Sequence, residues 1–184
     1  MKEKELRVSK MVIITLSMIG LFLFFYLMPK KDNTINESVL KELLENNDKI
    51  SYILQGDVKT TDGFIKIGNL TYYYLEDEYL KDIKSLNDIH ELISNTFIEE
   101  KRALYESYLN DKNYNRYMMY KKDLYVLKTI NPCIIQFSDS PIQYESVNEK
   151  EITVTKGFIR TYAYKQKEKW YMSTLNYSCN IEES

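Results

Sequence analysis

Three hydrophobic rhythms follow one another along the chain. The first is an uninterrupted apolar run, Met11 to Met28, bounded by Lys10 on one side and by Lys30 and Lys31 on the other. Its 18 positions, at about 1.5 Å per residue, span roughly 27 Å as a helix, close to the roughly 30 Å hydrocarbon core of a bilayer. The run closes with Phe24, Phe25, Tyr26, Leu27, Met28 and Pro29 instead of the small residues a signal peptidase needs, so it is expected to remain as an uncleaved anchor.

The second rhythm is helical. After the polar linker "KKDNTINE", Val39, Leu40, Leu43 and Leu44 recur at helical spacing over Asn36 to Asn47, with Asn36 or Ser38 as the cap. Two more helices follow the first strands. Ser85 precedes "LNDIHELI", where Leu86, Ile89, Leu92 and Ile93 share a face. Thr96 and Glu99 have the spacing of a capping box, opening a helix that turns Ala103, Leu104, Tyr108 and Leu109 toward the core.

The third rhythm has period two. "GFIKIGNLTYYYL" predicts a hairpin of Phe64–Ile67 and Leu70–Leu75 around Gly68 and Asn69. From Tyr117 onward the expected strands are Tyr117–Tyr120, Leu124–Leu127, Ile142–Val147, Ile152–Tyr164 and Lys169–Tyr177. A short helix, a hairpin, two helices and then a meander predict an α+β domain, with helices packed on one face of a curved antiparallel sheet. About 150 residues so arranged bury roughly two thirds of the unfolded chain's surface, enough for an independent core.

Charge adds an orientation. Lys2, Lys4, Arg7 and Lys10 precede the apolar run, whereas only Lys30 and Lys31 follow it closely, which places the amino terminus inside and the domain outside. The expected organisation is a basic cytoplasmic tail over 1–10, a transmembrane anchor over 11–28, a linker over 29–35 and an extracellular domain over 36–184. The first 31 residues hold six of the 25 basic and two of the 27 acidic residues, so the remainder carries 19 basic against 25 acidic, a net charge of −6. That balance disfavours nucleic acid and suits a basic protein partner.

Chemistry is sparse. His90 is the one histidine and lies on an amphipathic helix beside Ile89, so a Ser-His-Asp or Cys-His arrangement would have to use it. The five glycines form no phosphate-cradling pattern. The carboxylates of "YLEDEYLKD" lack the spacing of a calcium loop and are expected to be a solvated acidic loop. Two cysteines and one histidine do not make a zinc ligand set. No cofactor, metal site or catalytic residue is expected. Cys133 and Cys179 both fall in the external part, where one bridge would close a loop of about 45 residues and stabilise the fold by about 2 to 4 kcal/mol.

The unusual quantity is tyrosine, 17 residues. Sheets favour aromatics, and a tyrosine at an interface brings a rigid ring with a polar tip. "YMMYKKDLYVLK" concentrates them around a charged turn. Tyr117, Tyr120, Lys121, Lys122, Asp123 and Tyr125 are therefore the partner-binding candidates, with core and edge packing as the competing role for the rings.

The succession "NLTYYYL", "SLNDIHELISNTFIEEKRALYESYLND", "YMMYKKDLYVLK" and "KEKWYM" resembles the IseA-type DL-endopeptidase inhibitor family of Gram-positive bacteria, over roughly Gly63 to Tyr177. That resemblance implies an extracellular protein that binds and restrains a cysteine-type peptidase cutting peptidoglycan stem peptides, and so regulates autolysis without being an enzyme itself. The same element order is also compatible with a nuclear-transport-factor-like cone serving as an assembly module of an envelope or spore complex.

Overall fold

The computed structural model describes residues 35–110, 115–128, 132–135 and 139–177. Among them no helix is long and apolar enough to cross a membrane; the Met11–Met28 run, the tail over 1–10 expected to be cytoplasmic, and Cys179 lie outside the described residues.

The domain is α+β. Helix α1 (Glu37–Gln55) leads into the hairpin β1 (Thr60–Ile67) and β2 (Leu70–Leu75), a single 3-10 turn (Glu78–Leu80), and helices α2 (Leu86–Thr96) and α3 (Glu99–Ser107). Six strands follow: β3 (Tyr117–Tyr120), β4 (Asp123–Leu127), β5 (Ile142–Asn148), β6 (Glu151–Lys156), β7 (Ile159–Gln166) and β8 (Lys169–Met172). They do not form the single curved sheet expected. The eight strands divide into two four-stranded antiparallel sheets, ordered β1-β2-β4-β3 and β5-β6-β7-β8. The long connection from β4 to β5 lets the chain start a new sheet instead of extending the first. Helix α1 packs on β8, and α2 packs on both β3 and β8, so the helices reach both sheets and one apolar cluster runs through the helices and strands of both sheets.

Helix α1 runs eight residues past the expected end at Asn47. Asn36 caps its start by accepting from Ser38 N–H. Beyond Asn47 the buried face continues through Ile50, Ile53 and Leu54 but also carries Asn47, Asp48, Ser51 and Gln55, a polar stripe that hides the helical period from a hydrophobic reading. Its partners are distant in sequence. Asn47 donates to Thr174 O at 2.8 Å and accepts from Asn176 N–H, Gln55 donates to Tyr177 O, and Asp48 pairs with Lys156 at 3.1 Å and accepts from the Asn176 amide. The stripe thus straps the segment after β8 onto the helix.

The helix ends at Gly56, where a Cβ would lie 2.3 Å from the Tyr52 ring. The last carbonyls of a helix have no intrahelical donor, and here tertiary donors serve them: Tyr117 Oη to Ile53 O at 2.8 Å, Cys133 N–H to Gln55 O at 2.8 Å, and the Arg116 guanidinium to Gly56 O at 2.9 Å. A buried cation at this terminus also complements the helix dipole.

Capping differs from expectation. The capping box is at Ser85 and Asp88, opening α2, whereas Thr96 ends that helix with its hydroxyl donating to Leu92 O at 2.7 Å. Helix α3 starts at Ile98 without a side-chain cap. It buries Tyr105 while Ala103 is exposed, with Leu109 buried just beyond its end, and Tyr105 packs against Phe97 with ring centroids 4.4 Å apart. The expected strand over Ile152 to Tyr164 is two strands, turned at Gly157 with φ 63°.

Candidate functional site

Residues opposite one another in an antiparallel pair share a face, so the register of the first sheet sorts its aromatics. Tyr117 pairs with Val126 and Met119 with Leu124; Tyr117, Leu124 and Val126 are buried and define the inner face. Tyr74 pairs with Tyr125, Met118 with Tyr125 and Tyr120 with Asp123, which defines the outer face.

Three rings form a ladder on that outer face. Tyr74 and Tyr125 meet edge to face at 5.8 Å and Tyr125 and Tyr120 at 6.0 Å, a geometry worth about 0.5 to 1.5 kcal/mol per pair beyond buried area. Tyr74 and Tyr125 are half-buried by these contacts, and Tyr120 is 43% exposed. Ile65, opposite Tyr72 on the adjoining strands, and Ile67, opposite Leu70, extend the same face. Tyr72 is covered where its hydroxyl donates to Asn115 O at 2.8 Å.

The tip of the β3–β4 hairpin holds Lys121 and Lys122, with Asp123 at the start of β4, all exposed. Lys121 has φ 58°, a left-handed conformation that a residue with a Cβ adopts only at an energetic cost. Its ammonium lies 5.6 Å from the Tyr120 ring centroid, within cation–π range.

Beside the tip, a cleft of about 290 Å³ runs between Tyr74, Lys122 and Asp123 on one wall and the Glu76–Lys84 segment on the other. The acidic loop supplies Glu76 and Glu78 to it, and Lys81 and Lys84 stand among them. Asp77, the deepest carboxylate, is fully engaged: it accepts from Tyr52 Oη at 2.7 Å, Lys59 N–H at 2.8 Å and Tyr79 N–H at 2.9 Å. Burial, reinforced by this carboxylate, pushes the Tyr52 hydroxyl well above the ordinary tyrosine range. Asp77 therefore organises the loop instead of offering an acid or base to a substrate.

Of the sequence candidates, Tyr120, Lys121, Lys122, Asp123 and Tyr125 are together at one end of the sheet. Tyr117 is not with them. It is 1% exposed and its hydroxyl is spent on Ile53 O, so it is a core residue, and the reason is strand parity: three positions separate it from Tyr120 and place the two on opposite faces. Tyr74 belongs to the surface instead, and its pairing with Tyr125 across strands could be found only from register. Cys133 is disulfide-bonded, which removes it as a thiol nucleophile; Cys179, its expected partner, lies outside the described residues. His90 is half-buried beside Glu106, 3.6 Å away. Among the described residues no cluster of three or more His, Cys, Asp or Glu is placed to hold a metal. The sequence matches no protein-family model, and no curated protein is significantly similar to it.

Proposed function

We propose that the chain is an envelope-anchored binding protein, held by the Met11–Met28 helix with its domain outside, that docks a peptidoglycan-cutting DL-endopeptidase on the tyrosine face of the first sheet and restrains it. It acts by binding and not by catalysis. The observation that carries the reading is the Tyr74–Tyr125–Tyr120 ladder ending in a strained, charged tip beside a cleft. Rigid aromatics next to a recess that accepts a protruding segment are the usual anatomy of an interface centre. The resemblance of Gly63 to Tyr177 to the IseA-type inhibitors supports a cysteine-type wall hydrolase as the partner, and the net charge of −6 outside the first 31 residues suits a basic one.

The test is turnover of a stem-peptide substrate by such a hydrolase with and without the full chain. Inhibition is expected, and Tyr120→Ala with Lys122→Ala should weaken it by about 1 to 2 kcal/mol, roughly 5- to 30-fold, while stability falls by no more than about 1 kcal/mol. Absence of any binding to the hydrolase overturns the reading. A second reading, an assembly module, is favoured by β5, an edge strand exposed through most of its length with Tyr144 at 41% and Val147 at 55%. Self-association of the full chain, abolished by proline in β5, would select it.

A further inference from the structure

A second recess lies away from the hairpin. It is a groove of about 780 Å³ between the first half of α1, the exposed side of α2 and the end of the β7–β8 hairpin, and no residue of β3 or β4 lines it. Its floor is apolar: Leu43, Leu92 and Trp170, with Val39 38% exposed at one side. Its rim is mostly acidic, with Glu42, Asp82, Asp88, Glu91 and Glu168 against Lys165 and Lys169.

Local partners occupy part of that charge. Lys165 pairs with Glu168 at 3.0 Å and Lys49 with Asp82 at 2.8 Å, and Asp88 accepts from the Lys84 and Ser85 amides. Glu91 accepts only a neutral amide, from Asn87 at 2.7 Å. Glu42 is exposed on α1, one helix across from it. The two carboxylates therefore line a groove with an aromatic and aliphatic floor, and neither is in an ion pair among the described residues. A lysine or arginine side chain is the complement to such a site, since its aliphatic stem packs on apolar surface and stacks beside an indole while its charge stays at the rim.

We propose that this groove binds a short peptide segment of a partner protein in which basic and apolar residues alternate, with a lysine or arginine seated over Trp170 between Glu42 and Glu91. The volume admits several residues, and the hairpin surface is left free. The site stands independently of the hydrolase reading.

Trp170 is the only tryptophan in the chain and reports on the groove directly. The probe is acetyl-Leu-Lys-Leu-Lys-amide, titrated into the full chain at low ionic strength, with acetyl-Leu-Glu-Leu-Glu-amide as the matched control. A saturable change in Trp170 emission and a calorimetric isotherm are expected for the lysine peptide only, weakened roughly tenfold by Glu42→Gln with Glu91→Gln and reduced by added salt. Glu145→Gln, on the exposed β5 strand, should leave binding unchanged. No binding of the lysine peptide, equal binding of the glutamate peptide, or an affinity untouched by the Glu42 and Glu91 replacements each overturns the proposal.

Discussion

The β3–β4 and β7–β8 hairpins solve the same local problem in the same way and then part. Both turn through residues other than glycine with left-handed backbone, Lys121 at φ 58°, and Lys167 at 48° with Glu168 at 66°. The first is flanked by apolar and aromatic side chains: Tyr117 and Leu124 inward, Tyr120 and Tyr125 outward. The second is flanked by charge, with Lys165 opposite Trp170 and Gln166 opposite Lys169, and it faces the helices across the acidic groove. Aromatic anchoring holds the first sheet to the end of α1 through Tyr117. Polar anchoring holds the second sheet to the middle of α1 through Lys156 and Asp48. Equal turn chemistry therefore says little about what a hairpin presents; the flanking side chains and the surface they meet decide it.

The sharpest way to break this comparison is to truncate rings of opposite parity. Tyr117→Ala should destabilise by about 3 to 5 kcal/mol in urea unfolding, the range for a fully buried aromatic. Tyr120→Ala should cost under about 1 kcal/mol, and equal losses would mean that the two faces are not distinct. On the polar side, Asp48→Ala leaves Lys156 uncompensated among buried groups and should cost about 3 kcal/mol or more, while replacing both by methionine should restore most of it. If the double replacement is as damaging as the single, the pair is more than a mutual neutraliser.

The turns themselves predict gains. Lys167→Asn with Glu168→Gly supplies the residues that a turn with two positive φ values favours and should stabilise by about 1 kcal/mol. Lys121→Gly should add somewhat less, since only one residue is strained there. The smallest effect is at the start of α2. The amides of Lys84 and Ser85 and the Ser85 hydroxyl hold the Asp88 carboxyl below the ordinary aspartate range against a smaller opposing push from burial. A depressed folded value means that the contribution is complete above the ordinary aspartate pKa and is lost as pH falls through the folded one, below about pH 4. Asp88→Ala should remove about 0.5 to 1 kcal/mol at neutral pH and flatten that part of the acid unfolding curve.

Local physics was legible in the chain wherever it acted alone. The β1–β2 turn at Gly68, the strand Tyr117–Tyr120 to the residue and the start of α1 at Asn36 all follow from turn chemistry, alternation and capping, which need only neighbouring residues. The α+β class follows from the order of the rhythms. What the sequence could not decide is whatever depends on a remote partner. Asn47, Ser51 and Gln55 look like the end of a helix until Thr174 to Tyr177 lies against them. Ser85 opens α2 as its position before the apolar period predicts, whereas Thr96, spaced from Glu99 like a capping box, ends that helix, and α3 starts where Phe97 packs against Tyr105 and the Ile98 amide donates to Met172 O. The division into two sheets rests on which strands find each other across long connections. The side of the sheet on which each tyrosine emerges is a matter of register: a shift of one position exchanges the core for the surface, and a pattern as rich in tyrosine as this one reads almost the same either way.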